Sequence, residues 1–472
     1  MAAQSMALVV GDWPYGLTCY IAGTARRRVG RGEPNMTLTS PSPISSRLDS
    51  ARLGLLYFVA LSASLGTAVS AIGRLLLYLA ALVYLVGRAS GRGRAPGTHL
   101  PSVMSWAVLL AVSYISVSAL WSVVGPAEAL WSWSRHARLL TILIMLSLIT
   151  SLAEARAVLR VFIWGQLFVV LSAWLLVFKL PVPWATGVWQ GSYAVFSSYL
   201  EQGISQAVLV ALLWFQRDQV FGPRGRWLAV ACALATAVLT IGLMPGRSGH
   251  LVLLGVLTFA FFHQLPRRFV WAALLVPALS VLLLFQLSAP FQGRMTLLIS
   301  EVALHSQGSA QNTSTGIRLE YWRASARAVA EKPLFGHGAG SWNQTYRQLK
   351  GPQASPVNDT VSDPHQMFLL WAVEGGLLGV ALLCAVLAAL WRHGSGFAAA
   401  DRHALQAMLL ALVISSLFNS MIYGIGIGDF FCIGLGILAA LGRHPGQAPI
   451  AAPAWASPAA TPPKRLPSTK VA

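Results

Sequence analysis

The chain has 472 residues, of which 56% are hydrophobic and only 10% charged, with a mean hydropathy of +0.62. A charged share so far below the roughly 25% of soluble domains excludes an ordinary soluble protein and leaves an all-α polytopic membrane protein. The net charge of +19 suggests nucleic acid, but the basic residues are spread between apolar segments rather than gathered on one domain, so no nucleic-acid partner is expected.

Residues 1–50 read as a disordered cytoplasmic arm. Within it, residues 1–35 carry little hydrophobic pattern and read as an upstream over-translation or a disordered segment, and Met36 opens a more usual start. A bilayer core of about 30 Å asks for about 20 mostly apolar residues per helix. Twelve candidate spans follow, near 52–71, 73–88, 103–124, 138–153, 158–178, 202–216, 227–244, 249–263, 270–288, 365–391, 404–424 and 427–442. Nine therefore occupy 51–288 and three occupy 365–442, and the Pro- and Ala-rich stretch 443–472 reads as a disordered tail.

Arg47, Arg88, Arg156, Arg217, Arg267, Arg392 and Arg443, with their basic neighbours, all fall on one side if the chain crosses twelve times. The positive-inside rule makes that side the cytoplasm and puts both termini there. Cys19, Cys232, Cys384 and Cys432 fit neither a disulfide framework nor a metal spacing and read as small apolar residues. On the opposite side, 179–201 carries Trp184, Trp189, Tyr193 and Tyr199, either an interfacial aromatic belt or the lining of a sugar or lipid path. On that side also lies one long connection, 289–364, with helical patterning at 291–305 and 318–330 that predicts a small helical module over the membrane.

Three places on the non-cytoplasmic face concentrate chemistry. In the 318–330 helix, Glu320, Arg323 and Arg327 share a face at i, i+3 and i+7 and form an ordinary solvated set. Arg318 points roughly 160° from Glu320, onto the stripe of Trp322, Ser325 and Val329. There it either snorkels, pairs with a distant carboxylate, or receives an anionic substrate. The second place is 244-MPGRSGH-250, where Pro245, Gly246 and Gly249 allow a tight turn and Ser248 is expected to cap the next helix. A helix N-terminus with Arg247 is an anion seat, although an arginine at a helix end is often only an interfacial anchor.

The third is 363-DPHQMFLLWAVEGGLLG-379. Asp363 is expected as N-cap, Pro364 at the first helical position and His365 in the first turn, where the helix dipole favours a neutral imidazole able to accept a proton. Glu374 cannot assist it on a regular helix, because nine residues give about 180° of rotation and roughly 13 Å of rise. Pairing between helices is the expected role of this acid. Finally, 336-GHGAGSW-342 resembles a dinucleotide loop only by letters, since no strand precedes it. Its glycines read as allowing close backbone packing, with His337 a second-choice base or phosphate donor.

The order R-S-G at 247–249, R-x3-W at 318–322, P-L-F-G-H-G-A-G at 333–340 and H-Q-x2-L-x4-E-G-G-x2-G at 365–379 resembles the O-antigen ligase/polymerase family. Twelve spans, cytoplasmic ends and one large loop between spans nine and ten resemble its ligase branch. Two departures are Gln366, where the family often has asparagine, and His337, where a small or apolar residue is common. The resemblance implies a glycosyltransferase of the bacterial inner membrane with a periplasmic active site. It would move O-antigen from undecaprenyl diphosphate to a sugar hydroxyl of lipid A-core, with inversion. It further implies Arg247 and Arg318 on the diphosphate and His365 as base, beside which Ser248, Arg323 and His337 are secondary candidates from their own positions. No metal or other cofactor is expected, since there is no carboxylate cluster to hold one, and the expected state is a monomer among membrane lipids. The rival readings are an O-antigen polymerase, a protein O-oligosaccharyltransferase, and a lipid-linked oligosaccharide flippase.

Overall fold

A computed structural model describes residues 43–89, 102–185, 191–269, isolated positions between 275 and 296, and 314–350 and 361–443. The predicted arm through residue 42, most of the predicted span at 270–288, the first half of the predicted 289–364 module and the tail from 444 lie outside the described residues. The chain divides into Met1–Ser46 and Arg47–Ala472, and every contact below lies within the second unit.

The described residues are helical, with no strand among them. In chain order the helices are α1 (Pro43–Ser62), α2 (Thr67–Ala89), α3 (Ser102–Ser118), α4 (Pro126–His136), α5 (Leu140–Leu148), α6 (Leu152–Val177), α7 (Tyr199–Phe215), α8 (Arg226–Gly242) and α9 (Arg247–Gln264). Then follow α10 (Ser314–Glu331), α11 (Trp342–Leu349), α12 (Met367–His393), α13 (Ala399–Ser416) and α14 (Ile425–Ala439). Among the described residues, six stretches are long and apolar enough to cross a membrane: Thr67–Gly87, Val103–Trp121, Leu152–Val177, Pro223–Gly242, Met367–Gly396 and Ile425–Gly442. The α7 helix is apolar but shorter. Leu75, Leu79, Leu82, Val83 and Val86 leave one side of α2 exposed and apolar, the surface a lipid-facing helix presents, whereas α14 is buried along nearly its whole length.

Several predicted spans have different limits. The stretch 52–71 is not one helix: α1 ends at Ser62 and a turn with Gly66 at φ 95° starts α2 at Thr67. The stretch 138–153 begins much earlier, because α4, a 3-10 turn over Ala137–Leu139 and α5 follow one another from Pro126 to Leu148. The stretch 404–424 breaks at Ser416, and a turn occupies 417–424 before α14. A buried arginine explains this last break: Arg138 donates to the carbonyls of Ile422, Tyr423 and Gly424, and Arg135 donates to Tyr423 as well. Helix breaks at membrane depth persist only where such donors satisfy the freed backbone. Arg138 and Arg74 in turn flank the buried Asp429.

The α12 helix has its own interruption, at Gly376 (φ 65°, ψ −167°). The loop 333–338 enters this gap. His337 N–H donates to Val373 O at 2.8 Å, Gly338 N–H to Glu374 O at 2.9 Å, and Leu377 N–H to Pro333 O at 2.8 Å. The far side of the loop is stitched to the turn after α3 by Ser122 Oγ donating to Ala339 O at 2.7 Å and Val123 N–H donating to His337 O at 3.2 Å. The glycines of 336–340 thus serve close backbone packing, as their spacing suggested.

Beside the kink, the fully buried Glu374 receives Ser132 Oγ at 3.0 Å and His136 Nε2 at 2.8 Å, so this acid does pair between helices. Removing one member of a buried hydrogen-bonded pair leaves its partner unsatisfied, at a cost of about 1–3 kcal/mol. Glu374→Ala is therefore expected to lower the thermal midpoint of the detergent-solubilised protein sharply; an unchanged midpoint would show that the pair contributes nothing. The described cysteines are free thiols; Cys432 is buried as expected of a small apolar residue, whereas Cys384 sits on an exposed helix face.

Candidate active site

The α10 helix supplies one wall. Its inner face is Tyr321, Ala324, Ser325 and Ala328, all buried, and α11 packs on it through Trp342, whose Nε1 donates to Ser325 Oγ at 3.0 Å. Arg318 sits half-buried one turn before Tyr321, and Arg323 is exposed. The Tyr321 ring faces His365, with centroids 5.9 Å apart.

The second wall is the start of α9. Arg247 is its first residue and half-buried. The N-cap is Gly246, with no side-chain cap, so Ser248 does not cap the helix as expected. It lies inside the first turn, buried, and its hydroxyl accepts from Asn419 Nδ2 at 3.2 Å. The reason for this tight entry is packing against α7: a side chain at Gly246 would lie 3.2 Å from Tyr199 O, and one at Gly249 would lie 2.9 Å from the Gly203 carbonyl carbon.

His365 also departs from its expected place. It is not in the first turn of α12, whose N-cap is Gln366, with its side chain accepting from Leu369 N–H. The Asp363 carboxylate is unavailable for capping because its Oδ1 accepts His365 N–H at 2.9 Å, a local turn characteristic of aspartate. His365 adopts φ 52°, in the left-handed region, and its Nδ1 lies 3.4 Å from the same Oδ1. The dipole argument for a neutral ring therefore gives way to a carboxylate neighbour. Burial alone would raise the Asp363 pKa; contact with His365 and with the Ser420 hydroxyl outweighs it and holds the carboxyl below its usual range.

A continuous set of neighbours thus joins the three stretches singled out by sequence. It runs from Arg247 and Ser248 through Asn419 and Ser420 to Asp363 and His365, and through Tyr321 to the helix that carries Arg318. His337 stands apart: it is buried with Nε2 on Ala328 O at 2.9 Å, which uses that nitrogen as a donor. Sequence reasoning missed Asn419, Ser420 and the basic group Arg135, His136 and Arg138. For the last, a signal was present in 131-WSWSRHARL-139, three basic residues set between tryptophans and an apolar run; for Asn419 and Ser420 there was none.

The multi-pass helical membrane protein therefore sets an acid-supported histidine beside the helix that carries Arg318, with the turn at 417–424 linking it to the helix start that carries Arg247. Residues 232–384 match the family model described as O-Antigen ligase, a segment that contains Arg247, Arg318, His337 and His365. An uncharacterized protein of Haemophilus influenzae is 24% identical over 186 residues, covering 38% of this chain and 46% of that protein. The chain thus spans less than half the length of that relative. The segment 232–384 is thus similar to the O-antigen ligase family, within a chain whose apolar helices mark it as a multi-pass membrane protein.

Proposed function

We propose that the protein transfers O-antigen from undecaprenyl diphosphate to a sugar hydroxyl of lipid A-core at the periplasmic face of the bacterial inner membrane. Both chain ends are cytoplasmic in this reading, the expected side for the Arg-rich connections. Arg247 and Arg318 hold the diphosphate and neutralise it as it departs, and His365 removes the proton of the acceptor hydroxyl. Attack opposite the diphosphate inverts the anomeric carbon. No nucleotide takes part, because the carrier diphosphate already holds the activation, and the enzyme acts as a monomer.

The observation that carries this reading is the contact chain from Ser248 through Asn419, Ser420 and Asp363 to His365 and Tyr321, which links the surroundings of both arginines to the histidine. The two nearby carboxylates, Asp363 and Glu374, are committed to His365 and to His136 with Ser132, which supports transfer without a metal.

The test is transfer by purified protein from a polyprenyl-diphosphate glycan to lipid A-core, without nucleotide and with EDTA. Product formation insensitive to EDTA is expected. Loss with EDTA and recovery with magnesium would count against the metal-free reading. Extension of carrier-linked glycan instead of core modification would make the protein a polymerase, and movement of the donor across vesicles without product would make it a transporter.

A further inference from the structure

We propose that Asp363 is a positioning residue for His365: through one carboxylate oxygen it fixes both the backbone and the ring, and so presents Nε2 to the acceptor. This rests on His365 being the base. Three observations carry it. The first is backbone geometry. Among the described residues only Lys179, Tyr193 and His365 take a positive φ without being glycine, a conformation that residues with a side chain rarely adopt. At His365 it is held by Asp363 Oδ1, which accepts the main-chain N–H at 2.9 Å.

The second is the ring. Nδ1 lies 3.4 Å from that same oxygen, and Tyr321 flanks the ring at 5.9 Å. The acid is sheltered, its side chain 16% exposed, while the histidine side chain is 42% exposed. With Nδ1–H directed at the carboxylate, the Nε2 lone pair is the one left for an incoming proton; such second partners set the tautomer of a working imidazole.

The third is support behind the acid. Ser420 lies against Asp363, and its turn is held from beneath by Arg135 and Arg138 through the carbonyls of Ile422, Tyr423 and Gly424. Asn419, the next residue, is tied to Ser248 at 3.2 Å. Asp363 thus belongs to a braced turn rather than a loose loop.

In the transfer step the acceptor oxygen forms its bond to the anomeric carbon. The bond from that carbon to the phosphate oxygen breaks, with its electron pair leaving on the diphosphate, and the hydroxyl proton passes to Nε2. Asp363 stays ionised throughout and steadies the imidazolium by charge and by orientation.

A cycle of D363N, H365Q and the double variant, assayed as purified protein by steady-state transfer, tests this. A general base contributes about 10²–10⁴-fold, so losing its orientation in D363N is expected to lower kcat by about 10- to 100-fold while donor KM stays within about twofold. In the H365Q background, D363N should add no further loss, because residues that act as a unit are not additive. Should D363N fail to give monodisperse protein, D363E takes its place, its longer arm displacing the oxygen from Nδ1. Wild-type kcat in the folded variant, a loss appearing in KM alone, or a full additive loss on top of H365Q would overturn the positioning role. An H365Q protein with wild-type activity would instead overturn the base assignment on which it rests.

Discussion

Arg318→Ala is expected to remove glycan transfer while leaving the protein in the membrane at its usual level. The fold should tolerate the change because α10 is anchored by Tyr321, Ala324, Ser325 and Ala328 on its buried face. The chemistry should not tolerate it. Deleting one donor aimed at charge that develops during reaction typically costs about 10²–10³ in rate, and in the proposed reaction the diphosphate gathers its negative charge as the glycan leaves. Arg318→Lys should recover only part of the loss, since an ammonium cannot reproduce the planar fork that grips two phosphate oxygens. Arg323→Ala, an exposed position one face away, should behave as wild type. The measurement is the lipopolysaccharide banding of cells carrying each variant as their only copy, with the membrane level of the protein blotted alongside. Normal banding with Arg318→Ala would remove this arginine from the mechanism.

Gly376→Val should damage the protein by a different route, through the joint between α12 and the 333–338 loop. Two penalties act together. The backbone there has φ 65°, which costs a residue with a side chain about 1–2 kcal/mol. A Cβ would also lie 2.3 Å from the carbonyl carbon and oxygen of Leu334, and overpacking typically costs about 1–3 kcal/mol more. Neither penalty can be relieved by rotating a side chain, because the obstacle is main chain. The loop should therefore be driven out of the gap, with loss of the bonds from His337, Gly338 and Leu377. A fall in thermal midpoint together with lost transfer is expected. Gly54→Ala is the control: it lies on an exposed side of α1 with nothing within 4 Å, and alanine there should be neutral or slightly stabilising. Equal midpoints for the two variants would mean that the kink does not hold the loop.

The membrane class, the helical make-up and the close packing of the 336–340 loop were readable in the sequence because each rests on local pattern: apolar length and glycine spacing. Helix limits were less readable where distant residues decide them. Nothing within 404–424 announces that a chain segment some 285 positions away will supply Arg138 to cap its broken carbonyls. The same holds for Asp363. Read locally, Asp-Pro before an apolar run is a helix start, and both Asp363 and Gln366 are chemically able to cap; the fold gave the cap to Gln366 and turned the aspartate on His365. Glu374 is the converse case, since helical geometry alone sufficed to separate it from His365, while its partners His136 and Ser132 could only be supplied by packing.

The interlock of the 333–338 loop with the gap in α12 has a consequence for anyone building hybrids of this protein with similar ones. A side chain at Gly336 would strike the amide of Gly376 at 2.6 Å, just as one at Gly376 would strike Leu334, so each segment is shaped by the main chain of the other. They form a single cassette split across the sequence. Hybrids meant to change acceptor choice by exchanging the loop before α12 should have one junction upstream of Pro333 and the other beyond Leu378; a cut between them would join two halves moulded to different partners.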